Sequence, residues 1–337
     1  VTTYLITGGC GFIGSNFIRY LMASDRSSRI VNLDKLTYAG NPENLKDLED
    51  NSRYHFVHGD ICDSALIEGV FNDFSPDVVI NFAAESHVDR SIGKPDDFIR
   101  TDVFGVFVLL GAAKDHGIDL FLQISTDEVY GSIEDGSFRE TDSLMPSSPY
   151  SASKAGGDRL AYSYFVTYKI PVIVTRASNN FGPYQYPEKL IPLFVTNALE
   201  NELLPLYGKG DNVRDWIYVI DHCSAIDFLL KKGEPGETYN VGGGNERQNV
   251  EITRLILEHL DKPASLIRYV NDRKGHDQRY SLNCDKIKSM GWEPQHSFEA
   301  ALEETVVWYK NNEAWWKRLK SGEFLEFYKS YYGLELT

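Results

Sequence analysis

Residues 125–154 hold five side chains suited to moving protons: Thr126, Asp127, Glu128, Tyr150 and Lys154. The first three are consecutive in Ser125-Thr126-Asp127-Glu128-Val129-Tyr130-Gly131, and the last two stand four apart in Tyr150-Ser151-Ala152-Ser153-Lys154. On a helix, i and i+4 stack on one face, so the phenol lies one turn from the ammonium. A cation there favours phenolate and lowers the tyrosine's pKa. Phenolate can take the proton of a secondary alcohol as hydride leaves the same carbon, and the Thr126 hydroxyl can hold that alcohol. Neighbouring carboxyl groups suit a second step. One removes a proton beside a new carbonyl while the other, kept neutral, protonates a departing hydroxyl. Adjacent residues of a regular strand face opposite ways. Asp127 and Glu128 can therefore cooperate only if the backbone turns as the strand ends. Without that turn they are two exposed loop acids.

Those side chains need a sheet edge and a hydride acceptor. The apolar run 120–124 reads as a buried parallel strand, and ligands of open α/β sheets sit beyond the carboxyl ends of such strands. Residues 150–168 read as a helix. At the other end of the chain, a strand at 4–7 leads into Gly8-Gly9-Cys10-Gly11-Phe12-Ile13-Gly14 and a helix over 15–23. Gly8, Gly11 and Gly14 give one dinucleotide spacing, and Gly9, Gly11 and Gly14 a second, which let backbone approach a pyrophosphate at a helix N-terminus. A second strand, 29–33, ends at Asp34. An acid there accepts from both ribose hydroxyls and repels a 2′-phosphate, favouring NAD over NADP. A cationic nicotinamide would lower the Tyr150 pKa further.

A third strand, 54–58, leads to Asp60, placed to meet the adenine. A fourth, 78–82, runs into Ala83-Ala84-Glu85-Ser86-His87. Small residues at 83 and 84 allow close cofactor approach, and Ser86 suits a sugar or phosphate. His87 reads either as a base or, more commonly for one His in a polar loop, as structural. With a strand at 171–175, the alternation gives an α/β, Rossmann-type, doubly wound parallel sheet. The pattern changes at Ser178-Asn179-Asn180-Phe181-Gly182-Pro183. The expectation is an NAD-binding lobe over 1–178 plus about 213–241, with the strand-like stretches 215–219 and 237–241 returning to that first lobe. A smaller, discontinuous C-terminal substrate lobe spans about 179–212 and 242–337. The aromatic run with Trp308, Tyr309, Trp315, Trp316, Phe324 and Tyr328 has helical spacing and reads as packing.

Among 337 residues the charge is −15, which repels nucleic-acid backbones. No apolar run approaches the roughly 20 residues of a membrane span, and the N-terminal stretch shows no secretory pattern. Four scattered cysteines without a C-x-x-C pair argue against zinc and disulfides and for a reducing cytoplasm. Residues 101–116 read as a helix apolar nearly all round. One apolar face suffices for packing on a sheet, so the excess points to a homodimer or to burial under another helix.

The sequence resembles the dTDP-glucose 4,6-dehydratase family of the extended short-chain dehydrogenase/reductase superfamily. The likeness rests on residues 8–14, 33–41, 83–91, 125–131, 150–154, 178–192, 207–216 and 275–277, with the Thr-Asp-Glu triplet as its specific part. It implies that Asp127 protonates the leaving hydroxyl, Glu128 is the base at carbon 5 and Tyr150 the base at the 4-hydroxyl. It implies NAD contacts at Phe12, Ile13, Asp34, Lys35, Thr37, Asp60, Ile61, Ala83, Ala84, Ser86, Thr101, Tyr150, Lys154 and Asn180. Contacts to dTDP-glucose would come from Ser86, Thr126, Asn179, Lys189, Leu190, Pro205, Tyr207, Arg214, Asn249, Arg273 and His276. Arg214 suits the diphosphate because a guanidinium fork makes paired bonds. Two alternatives stay open. One is a UDP-sugar 4-epimerase or decarboxylase of the same superfamily, which has no need of the acid pair. The other is a catalytically silent NAD-binding regulator.

Overall fold

The structure, a computed structural model, describes residues 1–272 and 275–334. Its strands are β1 (Thr3–Thr7), β2 (Arg29–Asp34), β3 (Tyr54–His58), β4 (Val78–Asn81), β5 (Leu120–Thr126), β6 (Val172–Ala177), β7 (Asn179–Phe181), β8 (Leu204–Tyr207), β9 (Val213–Tyr218), β10 (Thr238–Val241), β11 (Glu246–Gln248) and β12 (Ile267–Val270). Seven of them form one parallel sheet in the order β10-β6-β5-β4-β1-β2-β3. The helices that position the site are α1 (Phe12–Ser24), α2 (Ser64–Phe74), α3 (Val88–Gly93), α4 (Pro95–Ile99), α5 (Val106–His116), α6 (Pro149–Tyr168), α7 (Leu190–Leu199) and α8 (Val219–Lys232).

Successive strand residues face opposite layers. Leu5 and Phe121 join the layer of α2, α5 and α6, while Ile6 and Leu122 join that of α1 and α8. A sheet covered on both faces explains why its strands read as nearly unbroken apolar runs. The strand order reverses between β1 and β4, so the loops after them part and leave a crevice.

One expectation is corrected. The strand near 215 does not return to the large sheet: β9 pairs with β7 and β11 in a separate three-stranded sheet. Its sequence, Val-Arg-Asp-Trp-Ile-Tyr, does not decide between sheets: Arg214 and Asp215 are buried in β9 much as Arg176 is in β6, and only its long-range pairing sets its place. α8 and β10 do join the large sheet and its layers. The helix expected over 101–116 is also more structured than one uniform element. α4 runs through one π-helical segment, Arg100–Gly105, into α5. Phe104 and Phe107 are left about half exposed, beside the exposed Tyr162 and Val166 of α6. Among the described residues, no helix is long and apolar enough to cross a membrane.

Candidate active site

A cleft of about 340 Å³ opens at the sheet's reversal point. Its floor is the glycine turn between β1 and α1. Gly8 adopts φ +69°, and a Cβ on Gly14 would stand 2.4 Å from the Gly8 carbonyl oxygen, so only glycine permits this close crossing. The free amides of the α1 N-terminus point toward the cleft. At the end of β2, the Asp34 carboxylate accepts from the amides of Cys10 (2.9 Å) and Leu36 (2.8 Å), which fixes its direction. Beside it Lys35 pairs with Asp60 at 2.8 Å. Every cofactor residue expected from the sequence lines this cleft: Gly8, Gly11, Phe12, Ile13, Gly14, Asp34, Lys35, Thr37, Asp60, Ile61, Ala83, Ala84, Ser86, Thr101, Tyr150, Lys154 and Asn180. A glycine cradle, an N-terminal amide cluster and an oriented acid fit the diphosphate and ribose of NAD.

The proton-transfer groups border the same space. β5 ends at Thr126, and a 3₁₀ turn, Asp127–Tyr130, follows at once. Thr126 caps it, its hydroxyl accepting from the Glu128 amide at 3.3 Å. The turn is the backbone break that the acid pair required, and both carboxyl groups reach the cleft. Their surroundings differ. Asp127 is 3% exposed, and burial, with the nearby carboxyls of Glu128 and Asp215, pushes its pKa well above the ordinary range despite Arg214 and Thr126. These surroundings favour its neutral form. Glu128 is half-buried.

α6 begins at a capping box made by Ser148 and Ser151, with Pro149 in its first turn. Tyr150 and Lys154 then share a face, and the Lys154 ammonium donates to the Ile124 carbonyl at 2.8 Å. The lowering of the Tyr150 pKa expected beside a bound cofactor has to overcome the protein's own surroundings. Burial, with Glu128 and Asp102, pushes it well above the ordinary value, opposed by a bond to Thr126. Burial comes first among these influences, and the positive charge of a pyridinium ring would act against it, toward phenolate.

Of the expected substrate residues, Ser86, Thr126, Asn179, Lys189 and Leu190 line the cleft, with the Lys189 ammonium donating to the Ser86 carbonyl. Pro205, Tyr207, Arg214, Asn249 and His276 stand outside its lining. Pro205 and Tyr207 belong to β8, and Tyr207 donates to Asp89 at 3.1 Å while its ring packs on His276. Arg214 lies over the Tyr280 ring and donates to the carbonyls of Val213 and Asp277. The Asn249 amide bonds to the Asn212 carbonyl at 3.1 Å. Arg273 lies outside the described residues. His87 sits with the carboxylates of Asp89 and Glu188 at 3.9 Å on either side, and it is absent from the cleft lining, which fits the structural reading.

Sequence reasoning passed over three groups. Glu85 lines the cleft, its pKa raised to about 7 by burial and by Asp102. Asp102 is buried behind it and accepts from the Glu85 amide at 3.1 Å and the Ser153 hydroxyl at 2.7 Å. His222 also lines the cleft. Asn180 gives its amide N–H to the Ser178 carbonyl, so its oxygen faces His222 Nδ1 at 2.9 Å and Nδ1 carries the proton. Burial lowers the imidazole's pKa to about 4, so it stays neutral and orients Asn180. Glu85 and Asp102 each stand one position from an expected contact, at 84, 86 and 101, whereas nothing in the sequence singles out His222.

Residues 5–305 match the family model described as GDP-mannose 4,6 dehydratase. The dTDP-glucose 4,6-dehydratase of Escherichia coli is 47% identical, over 95% of this chain and 97% of that protein. The chain belongs to the dTDP-glucose 4,6-dehydratase family. The low-salt glycan biosynthesis protein Agl12 of Haloferax volcanii is 53% identical over 90% of this chain and 97% of its own length. The crystal structure of DesIV, the dTDP-glucose 4,6-dehydratase of Streptomyces venezuelae with NAD and TYD bound, superposes with a TM-score of 0.92 at 49% identity, covering 95% of this chain and 100% of that one.

Proposed function

We propose that this chain is an NAD-dependent hydro-lyase that converts dTDP-glucose to dTDP-4-dehydro-6-deoxy-glucose and water. The observation that carries this reading is the pair of consecutive acids, one buried and neutral, on a turn facing the same cleft as Tyr150 and Lys154. Bound on the glycine turn, NAD supplies a hydride acceptor for carbon 4, the hydride returned to carbon 6, and positive charge beside Tyr150. Tyr150 takes the proton of the 4-hydroxyl, Thr126 holds that oxygen, and Lys154 supports the phenolate. The carbon-4 ketone acidifies the hydrogen on carbon 5. Glu128 removes it while Asp127 protonates the hydroxyl leaving carbon 6. Proton return to carbon 5 from Glu128 completes a sequence without net redox. A site closed around the bound sugar would keep water from adding to the enone.

Ser86, Asn179, Lys189 and Leu190 are the sugar and phosphate contacts in this reading, with Tyr207, Arg214, Asn249, Arg273 and His276 toward the nucleotide. The lobes divide at residue 178, with α8 and β10 serving the NAD lobe and the two small sheets serving the substrate lobe. A homodimer would cover Ile99, Phe104, Phe107, Tyr162 and Val166, apolar side chains left exposed on neighbouring helices. A cytoplasmic location accords with four free, buried cysteines. Incubation with dTDP-glucose and UDP-glucose separately, with products weighed by mass spectrometry, tests the activity. Loss of one water's mass from the dTDP sugar supports it. An isomer of unchanged mass would favour the epimerase reading instead.

A further inference from the structure

Behind the cleft lies a buried ion pair that no step of this chemistry uses. Arg176, near the end of β6, is 1% exposed, and its partner Asp158 on α6 is fully buried. The guanidinium donates from Nε to Asp158 Oδ2 at 2.8 Å and from Nη2 to Oδ1 at 3.2 Å. Its Nη1 donates to the Tyr130 hydroxyl at 2.6 Å, and that hydroxyl donates to Asn240 Oδ1 of β10 at 2.8 Å. The same guanidinium lies over the Tyr130 ring, 4.8 Å from its centre.

The anchored residues have telling positions. Asp158 is four residues after Lys154 and eight after Tyr150, on the same stripe of α6. Tyr130 is the last residue of the four-residue turn that opens with Asp127 and Glu128. One planar guanidinium therefore spans the helix carrying the phenol and ammonium and the turn carrying the two acids. Burying such a pair costs about as much as its attraction returns, so its use is to fix geometry.

The two ends depend on it unequally. α6 is also held by its capping box, by Lys154 on the Ile124 carbonyl and by Ser153 on Asp102. The short acid-bearing turn has the longer Thr126 cap bond of 3.3 Å at its start and the Tyr130 anchorage at its end.

We propose that Arg176, acting through Asp158 and the Tyr130 hydroxyl, is a positioning residue that sets the acid pair against Tyr150 and Lys154, coupling elimination to oxidation. This rests on the dehydratase reading. Loosening the clamp leaves oxidation at carbon 4 largely intact and slows elimination, so the reduced cofactor and 4-keto sugar accumulate.

The test compares wild type, Tyr130→Phe and Arg176→Lys as NAD-loaded enzymes with dTDP-glucose. Circular dichroism and thermal melting establish folding, and Tyr130→Phe, which removes one oxygen, serves where Arg176→Lys does not fold. Misplacement of reacting groups by a fraction of an ångström predicts product formation lower by roughly tenfold to a hundredfold. Reduced-nicotinamide absorbance should build up during turnover in the variants and not in wild type. A folded Tyr130→Phe that turns over at the wild-type rate, or that slows without accumulating reduced cofactor, overturns the coupling role. Absence of dehydration in wild type would instead overturn the dehydratase reading.

Discussion

Replacing Asp102 with Asn should make the protein more stable and a poorer catalyst. Asp102 is 2% exposed, in the π-helical segment between α4 and α5. Burial raises its pKa from the ordinary 3.8 to about 6, even though Lys154, the Ser153 hydroxyl and the Glu85 amide all favour the charged form. Those attractions are already within that value. Each tenfold change in acidity corresponds to about 1.4 kcal/mol, so the ionised carboxylate costs the fold about 3 kcal/mol. A folded-state pKa above the unfolded one means the native state binds more protons between the two. The group's stabilising contribution is complete below pH 3.8 and is lost as pH rises toward about 6. Asn keeps the shape without the charge. Its oxygen can still accept from the Glu85 amide, and the Ser153 hydroxyl can turn its proton fully to the Tyr150 carbonyl, 2.8 Å away.

Urea unfolding of wild type and Asp102→Asn, both loaded with the same NAD concentration, reads the difference directly. The two should be close near pH 4, diverge through pH 6 and stay about 3 kcal/mol apart above it, the variant being the more stable. At pH 8 the melting temperature should rise by roughly 4 °C. Activity should move the other way. Asp102 is the largest favourable influence on the buried Lys154 ammonium, which burial otherwise drives toward neutrality. Losing it predicts a fall in turnover of about tenfold. Equal stabilities across the whole pH range would refute the reasoning, because they would mean the native carboxyl bears no charging penalty.

Asp127→Asn removes the proton donor with little change of shape. Product formation should fall by roughly 10²–10⁴, while solvent deuterium still enters carbon 5 of the recovered substrate, as mass spectrometry would show. Gly14→Ala would push a methyl against the Gly8 carbonyl oxygen at 2.4 Å and the Gly9 Cα at 2.8 Å, both backbone. NAD affinity, followed by fluorescence titration, should drop at least about tenfold. Phe107→Asp puts a charge in the exposed apolar strip of α5, and sedimentation should show the parent as a dimer and the variant as a monomer.

The sequence revealed whatever was local. The glycine turn, the acid ending β2, the helical spacing of Tyr150 and Lys154, and the need for a bend after Thr126 are all short-range patterns, and each has its counterpart in the structure. The place of β9 is not legible, because a strand-like run does not say which sheet it joins, and its Arg214 and Asp215 are buried all the same. The π-helical segment was invisible, since no spacing rule separates a single π turn from the α-helix on either side of it. Asp102 and the Arg176 clamp were illegible for another reason. Asp102 meets Ser153 across 51 positions and Arg176 meets Tyr130 across 46. No spacing rule links residues brought together only by the packing of α6 on the sheet.

Those long-range contacts bear on how two adjacent carboxyls take different protonation states. Consecutive residues of a strand would place one acid in the cleft and the other in the opposite layer. Consecutive residues of a 3₁₀ turn are rotated by about 120°, so both can border one cavity at different depths. Asp127 falls on the buried side, near Glu128 and Asp215, and Glu128 on the more open one. Repulsion between them is relieved by leaving the deeper one protonated. The difference in acidity is thus a consequence of the turn's rotation. Whatever fixes that rotation, the Thr126 cap at its start and the Tyr130–Arg176 contact at its end, also decides which carboxyl donates and which accepts.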